Sequence, residues 1–158
     1  MKPCPHSLDS VLPHKHPMIL IDEIVGYDAA CIKSAVTVRA NAQFFRPGRG
    51  IPAHVGLEWM AQTCGAFAGA HALDNGGGIR TGLLLGTRDF VSAIRWYREG
   101  QRVEVHAKQL FDDGQIGSFE CSITQEDAGK PLATACLTVY QLDAGGALPG
   151  AGNPVTLK

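Results

Sequence analysis

The sequence predicts an α+β fold in which one long helix is wrapped by a curved antiparallel sheet of five to six strands. Three features carry that expectation. First, the stretch from Ala53 to Asn75 follows Pro52, precedes Gly76-Gly77-Gly78 and is poor in β-branched residues, so it reads as a helix of about twenty residues. Second, Val55, Leu57, Trp59, Met60, Cys64, Phe67 and Ala70 place apolar surface on nearly every side of that helix, which must therefore be buried. Ala61, Gly65 and Gly69 form a small-residue strip suited to close backbone approach. Third, the second half alternates with a period of two: Val103, Val105 and Ala107; then Gly117, Phe119, Cys121 and Ile123; then Ala133, Ala135, Leu137 and Val139. Turn signals at Glu99-Gly100, at Asp113-Gly114 and from Asp127 to Pro131 separate these runs, as in an antiparallel meander.

The remaining elements follow in chain order. Met18 to Asp28 and Cys31 to Ala40 read as two strands joined by a turn at Asp28-Ala29-Ala30. After the helix, TGLLLGTRDFVSAIRW supplies a long strand ahead of the meander. One domain is expected over residues 1–143, with 144–158 as a flexible Gly- and Pro-rich tail. The competing arrangement is a sandwich with the helix on one sheet face.

Composition narrows the function. The chain has 158 residues, 14 Lys+Arg against 15 Asp+Glu, 45% hydrophobic and 18% charged residues, which excludes extensive disorder and a strong basic field for nucleic acid or anionic membrane. Five scattered cysteines without a CxxC pair point away from a zinc site or a disulfide framework. No metal and no cofactor are expected. The N-terminus lacks an apolar leader and no long uninterrupted apolar run follows, so the expected location is the cytoplasm.

Glu58 is the one formally charged side chain between Ala53 and Leu73. It is either a first-turn carboxylate favoured by the helix dipole and facing a solvated gap, or a general acid kept protonated by burial and able to protonate a leaving group. His54 stands four residues earlier on the same helix face, as a second titrating group or as a histidine bonded to Glu58.

Three segments carry a resemblance. LPHKHPMILIDEIV (Leu12 to Val25) and IPAHVGLEWMAQ (Ile51 to Gln62) resemble the LPH loop and the carboxylate-bearing helix start of hot-dog 3-hydroxyacyl-[acyl-carrier-protein] dehydratases, and LLGTRDFVSAIRWYREGQRVEVHAKQL resembles the strands that follow. The likeness runs from about Leu12 to Asp143 and looks closest to dehydratase-like proteins of aryl-polyene and related polyketide pathways. It implies a hot-dog fold and a dimer of hot-dog subunits, homomeric or heteromeric, whose central helices lie side by side. It implies an acyl-carrier protein with a phosphopantetheine-linked acyl chain as partner, and dehydration of a 3-hydroxyacyl thioester as activity. Glu58 matches the family's acid, and Ala53 the residue whose backbone N–H polarises the thioester carbonyl. Phe44 and the adjacent Phe45 fall in the substrate-contacting loop, and His16 where the family has an aromatic gate, as a wall residue.

One departure is plain: the family's base is a loop histidine, and that position is Phe44 here, with no histidine between His16 and His54. The base is then expected from His54, or from His14 or His16 in the LPHKHP loop, or is missing. The rival functions are a catalytically silent hot-dog subunit that pairs with an active dehydratase, and an acyl thioesterase.

Overall fold

The computed structural model describes residues 1–126 and 128–142; the tail expected over 144–158 lies outside the described residues. A short helix α1 (Leu8–Val11) leads into β1 (Glu23–Tyr27), β2 (Cys31–Thr37) and a two-residue strand β3 (Ile51–Pro52). The long helix α2 (Val55–Asp74) follows, then β4 (Gly82–Ser92), β5 (Trp96–Tyr97), β6 (Arg102–Asp112), β7 (Ile116–Gln125) and β8 (Pro131–Gln141). Six strands make one antiparallel sheet in the order β1-β2-β6-β7-β8-β4, and β3 pairs with β5 beside it.

The period-two runs explain this sheet. Ile32, Val36, Val103, Val105, Ala107, Phe119, Cys121, Ile123, Ala133, Ala135 and Leu137 all point to one face and are buried, and α2 packs across that face through Trp59, Met60, Cys64 and Phe67. A buried polar chain pins the helix to β2: Ser34 hydrogen-bonds Thr63 at 2.6 Å, and the Thr63 hydroxyl donates to the Trp59 carbonyl at 2.7 Å. α2 ends where a left-handed residue is needed, at Gly76 with φ 76°.

Two boundaries differ from expectation for identifiable reasons. The first strand begins at Glu23 rather than Met18. The Met18 carbonyl and the Leu20 N–H are taken instead by the side chain of Gln62 on α2. The helix begins at Val55, because Ala53 N–H is spent on the Arg95 carbonyl at the end of the β3–β5 ribbon.

The small-residue strip is used as its composition suggests. Gly69 lies so close to α1 that a Cβ there would stand 2.0 Å from the Val11 carbonyl oxygen, and Gly65 abuts Leu12. Alanine is the better helix former, yet Gly69→Ala must push α1 away, so we expect a net loss of about 1–3 kcal/mol. Denaturant unfolding checks this, and an unchanged midpoint would show that α1 is not seated there.

Tyr97 is fully buried beside Trp59, with ring centroids 4.8 Å apart, and its hydroxyl has no hydrogen-bond partner among the described residues. Tyr97→Phe removes an unsatisfied group and keeps the ring, so stability should hold or rise by roughly 1 kcal/mol. A loss of that size in a melting experiment would reveal a partner for the hydroxyl.

β4 is an edge strand with an exposed apolar surface: Leu84, Leu85 and Val91 are 40%, 55% and 62% accessible. Such an edge invites pairing with another chain.

Candidate active site

Glu58 sits in the first turn of α2, where the helix dipole favours a carboxylate. It is not buried: in the single chain its side chain is 43% exposed, so the burial expected of it is absent there. Two side chains converge on the same oxygen. Gln62, one turn on and buried, donates to Glu58 Oε1 at 3.2 Å, and His14 Nε2 stands 3.9 Å from it. Gln62 also donates to the Met18 carbonyl at 2.7 Å and accepts from Leu20 N–H at 2.8 Å, tying the loop after α1 to the helix that carries the acid. Sequence reasoning missed this clamp. Its signal was a lone amide, one helical turn after the acid, in an apolar helix.

His14 reaches Glu58 because Val11 and Leu12, each 1% exposed, anchor the residues before it on α2. Its Nδ1 is buried and has no hydrogen-bond partner among the described residues, while Nε2 faces the carboxylate.

His14 and Glu58 stand at the junction of two cavities. One, of about 370 Å³, runs beneath Ala61, Gly65, Ala68 and Ala72 of α2 and is walled opposite by Leu83, Leu84 and Phe119. The other, of about 380 Å³, is open and lies among His14, Met18, Phe44, His54, Val55 and Glu58. Glu58 and Ala72 are fourteen residues apart on α2, so the first cavity follows roughly 21 Å of helix.

The other sequence candidates divide. Phe44, half exposed and in a left-handed conformation with φ 69°, lies in the outer cavity, as does His54. His54 makes no hydrogen bond or ion pair with Glu58, so the contact weighed for that pair does not form; the helix N-cap holds it outward in solvent. His16 is drawn away to Asp9, 3.2 Å distant, and lines a different depression with Ile19 and Leu20; it does not form a wall of the Glu58 cavities. Phe45 turns instead toward Gly48 and Arg49. The N–H of Ala53 cannot meet a thioester because Arg95 accepts it. The next amides, of His54 and Val55, have no acceptor among the described residues and border the outer cavity, so the carbonyl-polarising role can pass to them.

Away from these cavities the ionisable groups do structural work. Asp74, at the end of α2, accepts from the Tyr27 hydroxyl at 2.6 Å and pairs with His6 at 2.8 Å, which pulls its carboxyl down to about 2; burial and the same bond push Tyr27 up to about 12. His71 packs edge-on against Tyr27 and Phe67. Burial lowers the pKa of His106, on the outer sheet face. Among the described residues no group of three or more His, Cys, Asp or Glu is arranged to hold a metal ion, and no helix is long and apolar enough to cross a membrane.

Comparison with known proteins identifies the family. The family model of the ApeP-like dehydratases matches residues 6–148. In structure the chain is similar to the dehydratase heterocomplex ApeI:P from Xenorhabdus doucetiae, with a TM-score of 0.82 and 27% identity, covering 88% of this chain and 93% of that one. In sequence it is 30% identical over 131 residues to the 3-hydroxyacyl-[acyl-carrier-protein] dehydratase FabZ of Psychrobacter arcticus, covering 77% of this chain and 86% of the relative. The FabZ of Agrobacterium fabrum is 31% identical, covering 75% and 77%. A hot-dog architecture, an acid on the first turn of the central helix and a match across nearly the whole domain lead to one conclusion: the chain belongs to the ApeP-like family of hot-dog dehydratases.

Proposed function

We propose that the protein dehydrates a 3-hydroxyacyl thioester, delivered by an acyl-carrier protein, to the enoyl thioester, with Glu58 as acid and His14 as base on one chain. The observation that carries this reading is the meeting of His14 Nε2 and Glu58 Oε1, 3.9 Å apart, where a long apolar cavity opens to the surface. The acyl tail lies in the inner cavity and the pantetheine arm enters through the outer one. His14 Nε2 removes the C2 proton, the C2–C3 double bond forms, and the C3–O bond breaks as Glu58 protonates the departing hydroxyl to water. His14 is then protonated and Glu58 ionised, and their proximity lets the proton return, restoring both groups. Free amides at the start of α2 stabilise the charge that grows on the thioester oxygen.

Partners follow from surface chemistry. Arg46, Arg49, Arg95 and Arg98 cluster on the β3–β5 ribbon and its turn, opposed there by Glu99, and they adjoin the outer cavity through Phe44 and His54. That excess of positive charge suits an acidic carrier protein. The exposed leucines of β4 suit a second hot-dog subunit, alike or different, at that edge.

Incubation with 3-hydroxyacyl-carrier substrates, read by mass spectrometry, tests the reading. We expect loss of one water from the carrier-bound acyl group. Release of free acid would make the protein a thioesterase, and an unchanged carrier would make this chain a silent subunit.

A further inference from the structure

Two thiols that the chemistry above does not use meet inside the core. Cys64 of α2 and Cys121 of β7 are each 1% exposed, and their Sγ atoms stand 3.6 Å apart. The remaining cysteines, Cys4, Cys31 and Cys136, are partly exposed. Burial, and then the S–H bond to Cys121, push the Cys64 thiol well above its usual value, so it is held as a thiol and not as a thiolate. Bulky thiol reagents, which need both a thiolate and room to approach, are thereby directed to the other three. A small oxidant has a path that they lack. Cys64 lines the inner cavity beside Ala61, Gly65 and Ala68, and that cavity opens to the surface at Glu58 and His14. Six residues separate Cys64 from Glu58, so the thiol lies roughly 9 Å along the helix from the acid.

We propose that Cys64 and Cys121 are a modification site for hydrogen peroxide, and that the disulfide they form narrows the inner cavity and weakens acyl binding. The effect on binding rests on the reading that this cavity holds the acyl tail. The chemistry needs one peroxide and no other reactant. The Cys64 sulfur attacks one peroxide oxygen, the O–O bond breaks, water leaves, and Cys64 becomes a sulfenic acid. The Cys121 sulfur then attacks the Cys64 sulfur, the S–O bond breaks, a second water leaves, and the disulfide forms. Both sulfurs are oxidised and both peroxide oxygens reduced. The first step is slow, because little thiolate is present; the second is fast, because Cys121 is already in contact. Closure brings the sulfurs from 3.6 Å to about 2 Å, which draws α2 and β7 together. Phe119, two residues before Cys121 and inward-facing like it, walls the cavity opposite α2, so the approach takes width from the acyl path.

The test exposes the assembled protein to hydrogen peroxide, removes the excess, and maps the cysteines by mass spectrometry after alkylation in denaturant. We expect a Cys64–Cys121 link, lower in mass by two hydrogens, with a raised melting temperature that dithiothreitol reverses. Calorimetry with a pantetheine amide of a long-chain fatty acid reads the cavity without turnover. Affinity should fall roughly tenfold or more on oxidation, the scale on which a hydrophobic pocket tells one methylene from the next, and should return on reduction. Cys64→Ala should make the affinity insensitive to peroxide. If that variant does not fold, the wild-type map and the reversal by dithiothreitol decide. Two free thiols after peroxide, a link that forms only in unfolded protein, an unchanged affinity in the linked form, or a loss of affinity that survives Cys64→Ala overturns the proposal. An amide that the reduced protein does not bind overturns it together with the acyl reading of the cavity. A link that weakens acyl binding in a protein that dehydrates no 3-hydroxyacyl substrate sinks the catalytic reading alone and leaves this one standing.

Discussion

Glu58→Gln is expected to lower turnover on the order of a hundredfold or more while leaving the fold intact. The substitution keeps the shape of the side chain and its place on α2, but an amide cannot deliver the proton that the departing hydroxyl requires. The clamp from Gln62 makes this a clean experiment. An amide at 58 can still offer its oxygen to Gln62 Nε2, so the loop bonds at Met18 and Leu20 need not rearrange. Steady-state kinetics with a 3-hydroxyacyl-carrier substrate give the effect, and a melting curve superimposable on the wild type assigns it to chemistry. Turnover within a factor of two of wild type would remove Glu58 from the acid role.

The fold was legible where local pattern and tertiary environment agree. Val103, Val105 and Ala107 alternate because one face of β6 meets α2 and the other meets water, and that alternation is written in the chain. Residues 18–22 look as apolar as a strand, yet they bond to a side chain 42 to 44 residues away, which no local pattern reports. The β3–β5 ribbon is two residues per strand, below what periodicity can reveal, yet it decides which amide at the helix start stays free.

The site was legible in its parts and not in its pairing. Glu58 stood out because charge is rare on a helix apolar all round. His54 drew attention by its spacing of four, but spacing places Cβ atoms and does not fix where a side chain turns, and the N-cap directs His54 outward. His14 is far from Glu58 in sequence and reaches it because Leu12 is buried and Gly69 lets α1 lie flat on α2. The resemblance points to Glu58 as the acid and leaves Phe44 where the family has its base; the base proposed here, His14, belongs to a different loop.

That substitution of one loop for another leads to the second large effect. His14→Gln should slow dehydration by about 10²–10⁴-fold, the usual worth of a positioned general base, whereas His54→Gln should change it by no more than a few fold. The difference follows from position: His14 Nε2 lies 3.9 Å from Glu58 Oε1, while His54 lines only the outer cavity and makes no bond to the acid. Single-turnover rates isolate the chemical step from binding and product release. A double variant separates the candidates further: if His14 alone is the base, His14→Gln and the pair lose the same amount. If His54→Gln is the slower of the two, the base acts from the helix start, and the His14 contact with Glu58 serves to hold the loop. If neither slows the reaction, the base comes from a partner subunit, and this chain supplies the acid and the tunnel to a site completed across the β4 edge.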